Sequence, residues 1–211
     1  MNENPRPKAK PASRLSWLLG FAGSTQPAWR GTLRLWPAML AMVVVVSASN
    51  WLVQFPINDW LTFGAFTYPM AFLVSELTNR RAGPQAARRV AWLGFAAAVC
   101  VSAWLAPARI AAASGIAFLS AQLLDISIFH RLRRQSWWRA PLVASVLASV
   151  FDTALFFSCA FAGTAMPWLS LAAGDLMFKL AMAVFLLMPF RLLLPVMLDS
   201  WRTGPAPSPR A

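Results

Sequence analysis

The chain has 211 residues, of which 58% are hydrophobic and only 12% are charged, and its mean hydropathy is +0.55. Soluble domains carry about a quarter charged residues, so this composition excludes a water-facing surface and predicts an integral membrane protein. On a soluble chain the net charge of +12 would suggest a nucleic-acid partner. Here the basic residues are concentrated in the tails and two loops, which is the positive-inside pattern of membrane proteins, so no nucleic-acid partner is expected.

The residues that soluble enzymes and metalloproteins require are scarce. Cys100 and Cys159 both lie in apolar runs, where a cysteine usually acts as a small buried hydrophobe. His130 is the single histidine, and the sequence has no glycine-rich phosphate loop, no Gly-x-Ser-x-Gly elbow and no His-Glu-x-x-His pair. We therefore predict no disulfide framework, no metal site, no cofactor and no enzymatic activity.

Six apolar runs follow one another along the chain, each close to the roughly 20 residues that a membrane-spanning helix requires. They cover residues 36–55, 60–79, 90–106, 109–129, 141–162 and 168–194. Pro69 interrupts the second run and predicts a kink or a break there, because proline lacks the backbone N–H that an α-helix uses. The sequence thus predicts an all-α integral membrane protein with six transmembrane helices.

The distribution of charge predicts the domain limits and the orientation. Residues 1–34 form a basic tail, residues 35–198 a six-helix transmembrane domain, and residues 199–211 a Pro- and Ser-rich end that we expect to be disordered. With both termini and the two arginine-rich loops in the cytoplasm, all 19 cationic residues except Arg109 and Lys179 lie there. The positive-inside rule therefore predicts that both tails are cytoplasmic.

Four of the predicted helices carry polar and aromatic residues three or four positions apart, so that each set lies on one helix face. Ionisable groups within a membrane are costly, which makes the acids in these sets candidates for function. A shared polar interior would suit a planar solute that forms hydrogen bonds, whereas the alternative is that the serines only hold helices together. The sets are Ser47, Asn50 and Gln54; Tyr68, Phe72, Glu76 and Asn79; Ser114, Phe118, Gln122 and Asp125; and Ser145, Ser149, Asp152 and Phe156.

Three further charged residues fall within or beside the apolar runs. Asp175 and Lys179 are four residues apart with the acid first, so they can pair with each other on one helix. We interpret them as a structural or gating ion pair. Arg109 begins the fourth run, where it could pair with an acid on a neighbouring helix or extend its charged end to water. The sequence does not distinguish these two alternatives.

Two blocks of sequence resemble one family of bacterial membrane proteins. The first block is SNWLVQFPINDWLTFGAFTYPMAFLVSELTNRRAGPQAARR at residues 49–89. The second, ARIAAASGIAFLSAQLLDISIFHRLRRQSWWRAPLVASVLASVFDTALFFSCAFAG at residues 108–163, holds Arg-Ile-Ala-x-Ala-Ser, Gln-x-x-Asp and Asp-Thr motifs, and an Asp-x-x-x-Lys step follows at Asp175. On these motifs the chain resembles the queuosine precursor transporters, also called the vitamin uptake transporter family, over about residues 38–194.

The resemblance implies import of queuosine precursors for transfer RNA modification through the bacterial inner membrane, 7-cyano-7-deazaguanine foremost and 7-aminomethyl-7-deazaguanine second. It also implies a fold similar to the substrate-binding subunits of energy-coupling-factor transporters. A carboxylate can accept both donors of a guanine-like edge, amides can bond its carbonyl and pyrrole groups, and aromatic rings can stack on its face. The candidate binding residues are therefore the acids Glu76, Asp125 and Asp152, the amides Asn50, Gln54 and Gln122, and the aromatic residues Phe72, Phe118, Phe156 and Trp51.

Two other hypotheses compete with a transporter that works alone. Because the sequence contains no ATP-binding motif, the chain could instead capture substrate and depend on a separate ATPase module. An intramembrane hydrolase would need two juxtaposed acids, but a Gly-x-Gly-Asp signature is absent. The expected partners are thus a small 7-deazapurine and the lipid bilayer, and the sequence leaves a homo-oligomer and the source of energy open.

Overall fold

The computed structural model describes residues 28–52, 54–58, 61–165 and 167–199. Most of the predicted basic tail, residues 1–27, and residues 200–211 of the predicted C-terminal end lie outside these ranges. The described part contains eight helices and two short strands. They are α1 Ala28–Leu52, β1 Pro56–Asn58, β2 Leu61–Thr62, α2 Gly64–Thr67, α3 Met70–Ala82, α4 Pro84–Leu105, α5 Ala108–Leu132, α6 Arg139–Phe161, α7 Trp168–Phe185 and α8 Leu187–Asp199.

Five of the six predicted spans are present as helices that are long and apolar enough to cross a membrane. These are α1 from Leu35 to Leu52, α4, α5, α6, and α7 continued by α8 over Trp168–Pro195. The all-α membrane class is therefore confirmed. Helix α1 begins at Ala28, before the boundary at residue 34 that the charge pattern predicts, and the last span is divided at Leu186, which the apolar run 168–194 does not indicate.

The remaining predicted run is broken, as the proline in it predicts. Helix α2 ends at Thr67 and α3 begins at Met70, with Tyr68 and Pro69 between them. Pro69 cannot donate a backbone hydrogen bond, so the helical hydrogen-bond pattern is interrupted there, although Tyr68 and Pro69 keep α-helical dihedral angles. Upstream of α2, strands β1 and β2 pair antiparallel, with Pro56 opposite Thr62. This small ribbon occupies the connection that the sequence predicts as a short turn.

Apolar side chains hold the bundle together around α3. One buried cluster joins Leu73 and Leu77 of α3 to Phe129 of α5 and Phe190 of α8. A second cluster includes Met42 of α1, Val90 of α4 and Phe118 of α5. Helices α5 and α6, which are joined by a short turn, form the most extensive helix pair. Helix α3 thus has close neighbours on several sides, although its 13 residues are too few to cross a membrane alone.

Large apolar side chains also cover the outside of the bundle. The side chains of Trp104, Met177 and Leu169 are 91%, 73% and 69% exposed. A water-soluble protein rarely exposes so many large apolar residues together, whereas lipid makes such a surface favourable. The outer face therefore agrees with the membrane class that the composition predicts.

The two ends of the bundle differ in charge. At one end, which we call the arginine end, the guanidinium of Arg80 donates to the carbonyl of Arg133, and Arg133 Nη1 donates to the carbonyl of Asn79 at 3.4 Å. These bonds link the end of α3 to the end of α5. The other end, which we call the ribbon end, holds the β1–β2 ribbon and the tight connection from Leu105 to Ala108.

Gly94 provides a test of the packing between α1 and α4. A Cβ atom on Gly94 would lie 2.6 Å from Met42 Cγ and 3.1 Å from Met42 Sδ, and Met42 is fully buried. We expect Gly94→Val to lower the free energy of unfolding by about 1–3 kcal/mol, because overpacking a filled core forces helices apart. Thermal unfolding of the protein in detergent micelles measures this. Ala96→Val, on the exposed face of the same helix, is the control and should unfold like the native protein; equal stability of both variants would contradict the packing.

Candidate functional site

A cavity of about 230 Å³ lies between the helices near the ribbon end. It is surrounded by the C-terminal parts of α1 and α4, helix α2, the N-terminal half of α5, and the middle of α6 and α7. Ligand cavities for drug-sized molecules are commonly roughly 300–1,000 Å³, so this one suits a small solute. Its polar and aromatic lining consists of Ser49, Asn50, Gln54, Tyr68, Ser102, Ser114, Asp152, Phe156, Asp175 and Lys179.

One side of the cavity is formed by a charged network centred on Lys179. Its Nζ atom donates to Asp152 Oδ2 at 2.7 Å and to Asp175 Oδ2 at 2.6 Å. Tyr68 Oη donates to Asp152 Oδ1 at 2.9 Å, and Thr153 Oγ1 donates to Asp175 Oδ2 at 2.7 Å. Charges in a lipid-embedded bundle are tolerated when they are paired and hydrogen-bonded, and this network satisfies both conditions.

Local sequence explains how these five side chains meet. Asp175 and Lys179 are four residues apart, so they lie on the same face of α7. Asp152 and Thr153 are adjacent on α6. Asp152 accepts a hydrogen bond from Lys179, and Thr153 donates one to Asp175. Tyr68 follows the last residue of α2 and precedes Pro69, so the break in the helix places its hydroxyl beside Asp152. The Lys179 ammonium also lies 5.2 Å from the centroid of the Tyr68 ring.

The opposite side of the cavity is built from neutral polar groups. Ser102 Oγ on α4 donates to Asn50 Oδ1 on α1 at 2.9 Å, and Asn50 Nδ2 donates to the carbonyl of Val46 at 2.9 Å. Ser49 Oγ lies 2.9 Å from Thr67 Oγ1 of α2. The amide of Asn50 carries two N–H groups, so one is left to serve a ligand.

Six of the thirteen residues predicted for binding or gating line this cavity, and Trp51 is not among them. Four of them come from the predicted binding set, and Asp175 and Lys179 come from the predicted ion pair. Lys179 bonds Asp152 in addition to Asp175, so the pair is part of a larger network than the helical spacing indicates. The four binding candidates in the lining are Asn50, Gln54, Asp152 and Phe156.

Phe72 and Phe118 lie behind the cavity. Their ring centroids are 6.3 and 6.1 Å from the centroid of the Tyr68 ring, in edge-on arrangements. Both side chains are almost fully buried in the apolar core. They therefore support Tyr68, and their predicted stacking on substrate stays a prediction.

Glu76, Gln122 and Asp125 lie apart from the lining, in a second group of polar side chains between α3, α5 and α6. Ser145 Oγ donates to Glu76 Oε1 at 2.8 Å, Ser75 Oγ donates to Gln122 Oε1 at 2.5 Å, and Asn79 Nδ2 donates to the carbonyl of Ile126 at 2.8 Å. None of these three residues lines the cavity, so their sequence-predicted contact with substrate is not tested by its geometry. We call the group the inner polar cluster; it consists of Ser75, Glu76, Asn79, Gln122, Asp125 and Ser145.

Arg109 binds backbone carbonyls at the ribbon end. Its Nε donates to the carbonyl of Cys159 at 3.1 Å and its Nη2 donates to the carbonyl of Ala162 at 2.7 Å. The last carbonyls of a helix lack partners within the helix, and a cation there also interacts favourably with the helix dipole. Arg109 thus fastens the start of α5 to the end of α6. The ion pairs formed within the described ranges do not include it.

The sequence-based candidates omit five polar residues of the site, namely Ser49, Tyr68, Ser102, Ser114 and Thr153. Tyr68 belongs to one of the polar stripes and is the single tyrosine of the chain, directly before a helix-breaking proline. That combination is a signal that could have identified it. Ser102 is a lone polar residue in the otherwise apolar third run, and Thr153 directly follows a candidate acid. Their roles become visible only when the helices they face are known, which are α1 for Ser102 and α7 for Thr153.

Comparison with known proteins agrees with this architecture. A family model described as "Putative vitamin uptake transporter" matches residues 62–194. The chain belongs to this family. The matched range of the vitamin uptake transporter family begins in strand β2 and ends in α8, so it includes every residue of the charged network and of the inner polar cluster.

Curated relatives carry more specific names. The chain is 33% identical over 178 residues to the "Queuosine precursor transporter" of Escherichia coli (strain K12), covering 70% of this chain and 80% of that one. It is 31% identical over 188 residues to the "Probable queuosine precursor transporter" of Haemophilus influenzae, with the same coverage. It is 25% identical over 153 residues to a protein with that same name from Bacillus subtilis, covering 58% of this chain. No solved structure matches the chain.

Lys179 provides a stability test of the charged network. In the variant Lys179→Met, two carboxylates share a buried site without their cation, and breaking a buried ion pair on one side costs about 3–5 kcal/mol. We expect a marked fall in the thermal unfolding temperature of the protein in micelles. Lys179→Arg keeps the charge and is the matched control, so it should retain most of the stability. If Lys179→Met unfolded at the temperature of the native protein, the network would not stabilise the fold.

Proposed function

We propose that this chain imports queuosine precursors across the bacterial inner membrane and that the cavity beside Lys179 is the binding site. The observation that carries the proposal is a polar cavity with a charged wall, enclosed by helices whose outer faces are apolar. A membrane protein keeps charged groups in its interior where a polar solute or ion is handled. The names of the relatives supply the class of solute, and the chemistry of the lining is compatible with it.

A 7-deazaguanine offers hydrogen-bonding groups that match those of the lining. Its ring N–H and exocyclic amine form an adjacent pair of donors, which a carboxylate accepts in bidentate fashion. Asp152 is the acid that we assign to this edge, because each of its oxygens has a second lone pair beyond the bonds from Tyr68 and Lys179. Lys179 is placed to donate to the ring carbonyl, and Phe156 supplies an aromatic face. Asn50 and Gln54 would meet the pyrrole side.

The charge of the network bears on the substituent at position seven. Asp152 and Asp175 together carry two negative charges and Lys179 carries one positive charge, so the wall has one net negative charge. We propose 7-cyano-7-deazaguanine as the main substrate because the family resemblance puts it foremost, and its neutral cyano group needs no counter-charge. A cationic aminomethyl group would be attracted by the net charge of the wall, which makes 7-aminomethyl-7-deazaguanine the second substrate.

The orientation follows from the positive-inside rule. We place the arginine end and both tails, residues 1–34 and 199–211, in the cytoplasm, with the six-helix transport domain between them. The cavity then lies nearer the outer face, where a substrate to be imported enters. Helix α1 begins at Ala28, so the end of the N-terminal tail would continue directly into the first span.

Asp152 provides the direct test of the binding site. In Asp152→Asn one carboxylate oxygen becomes a donor, which leaves a substrate donor without its acceptor at a cost of about 1–3 kcal/mol. We expect affinity to fall by one to two orders of magnitude, so that uptake of labelled 7-cyano-7-deazaguanine at micromolar concentration is lost in cells that cannot synthesise it. Ser149→Ala, one turn away on α6 and outside the lining, is the control and should transport normally. Normal uptake by Asp152→Asn, at equal membrane levels, would refute the assignment.

Competition by related bases tests how the purine edge is read. Adenine has a similar area and stacking face but presents an acceptor nitrogen where guanine has a ring N–H. A carboxylate opposite that nitrogen leaves buried polar groups unpaired, and such mismatches can cost several orders of magnitude in selectivity. We expect guanine and both deazapurines to inhibit uptake of the labelled cyano compound and adenine to inhibit it poorly. Equal inhibition by adenine and the cyano compound would exclude Asp152 as the reader of that edge.

A further inference from the structure

The inner polar cluster contains two acids that the binding site does not use. Glu76 and Asp125 are 4% and 0% exposed, and the Ser75–Gln122 and Asn79–Ile126 hydrogen bonds join their two helices on either side of them. Glu76 accepts a hydrogen bond from Ser145. Neither carboxylate oxygen of Asp125 has a hydrogen-bond partner, and Nε2 of Gln122, which is 1% exposed, has none either. The two acids thus form none of the ion pairs within the described ranges, and both Asp125 and Asn79 Oδ1 lack a hydrogen-bond donor there.

The surroundings make this shortage costly. The side chains of Leu77, Ile126 and Phe129 next to the acids along α3 and α5 are buried in apolar clusters. A buried carboxylate without a partner is among the most expensive groups in a protein, and a second carboxylate beside it adds repulsion. The two acids of the cavity wall, Asp152 and Asp175, do have a cationic partner, because both form an ion pair with Lys179. Among the residues that the structure describes, the ion pairs include Asp152 and Asp175 but neither Glu76 nor Asp125.

Except for Arg109 at the ribbon end, the cations on the helices around the cluster lie toward the arginine end. Arg80 and Arg133 donate to backbone carbonyls, and Arg191 lies over the ring of Trp137. No group of three or more His, Cys, Asp or Glu side chains able to hold a metal ion is found within the described ranges. Asn79 Oδ1 also has no hydrogen-bond partner there, so a sodium ion held by oxygen atoms is the alternative that a sodium gradient tests. The titratable and charged groups on the elements packed around the two acids are Arg80 and Arg81 on α3, Arg88, Arg89 and Cys100 on α4, Arg109, His130 and Arg131 on α5, Arg133 and Arg134 in the following turn, Arg139, Asp152 and Cys159 on α6, and Arg191 on α8.

We propose that Glu76 and Asp125 together bind one proton and that this proton crosses the membrane with each substrate molecule. A shared proton removes one of the two negative charges and provides the missing donor between the carboxylates. It enters from the outer side with the substrate and leaves to the cytoplasm when the substrate leaves. With neutral 7-cyano-7-deazaguanine, each cycle then carries one positive charge inward. This inference rests on the proposed function, because it assumes that the chain transports that substrate.

The structure links this proton site to the cavity through the same helices. Helices α5 and α6 carry Asp125 and Ser145 in the cluster and Ser114 and Asp152 in the cavity lining. Ser145 and Asp152 are two turns apart, about 10 Å along the helix. Loss of the proton restores repulsion between Glu76 on α3 and Asp125 on α5. This repulsion pushes the two helices apart close to the Ser75–Gln122 hydrogen bond that joins them. The proton can therefore control whether the bundle opens at the arginine end.

Transport by the purified full chain in liposomes tests the proposal. Labelled 7-cyano-7-deazaguanine is supplied outside under an inward proton gradient, an inward sodium gradient or no gradient. With one proton per neutral substrate, a gradient of one pH unit sustains about tenfold accumulation, because about 1.4 kcal/mol corresponds to a factor of ten. We expect accumulation with the proton gradient only. A negative potential inside should increase it, since each cycle moves charge.

Variants separate coupling from binding. Glu76→Gln and Asp125→Asn should lose accumulation driven by the proton gradient and keep exchange of labelled for unlabelled substrate across the membrane. Ser149→Ala, also buried on α6, should keep both activities. If a variant does not fold, the gradient experiments on the native protein still test the coupled proton. Ser145→Ala then tests its site, because it removes the hydroxyl that donates to Glu76 Oε1 and should alter the pH dependence of accumulation.

Several results would overturn the proposal. Accumulation driven by sodium, or equal uptake with and without a proton gradient, would exclude a coupled proton. Loss of binding and exchange in Asp125→Asn would place this acid in the substrate site instead. Binding of substrate without any flux would show that the isolated chain captures substrate only, and it would leave the cavity assignment intact. Absence of binding by the native protein would refute the proposed function together with the coupling.

Discussion

The ammonium of Lys179 between Asp152 and Asp175 is the interaction on which the arrangement of the site depends. It allows two carboxylates to remain in the interior of a lipid-embedded bundle, and it joins α7 to α6. Tyr68 extends the same network to the break between α2 and α3. Without the cation, the two acids would repel each other and the wall of the cavity would not form. A single lysine thus fixes the positions of three elements around the proposed substrate.

The interior is divided into two polar regions of different character. The cavity wall is rich in paired charges and neutral donors near the ribbon end, whereas the inner polar cluster holds two acids without a cation nearer the arginine end. Shared helices connect the regions, so a change of charge in one can shift the packing around the other. In our proposals this division separates the place of the solute from the place of the coupling proton.

The sequence predicts the class of the protein and much of its helical organisation. Apolar runs identify the spans, and Pro69 identifies the break before α3. The choice between the acids could not be predicted, because helical spacing shows which residues share a face and not which neighbour that face meets. Asp125 and Asp152 lie on equivalent stripes, yet only Asp152 is opposite Lys179. The β1–β2 ribbon and the break at Leu186 depend on tertiary contacts that spacing does not reveal.

The most direct measurement is an experimental structure of the protein with bound 7-cyano-7-deazaguanine. We expect the planar ligand in the cavity, with its ring N–H and exocyclic amine within hydrogen-bonding distance of Asp152 and its face against Phe156. The carboxylates of Glu76 and Asp125 should remain out of contact with it. A ligand bound between α3 and α5 at those two acids, with the cavity beside Lys179 empty, would contradict the assignment of the site.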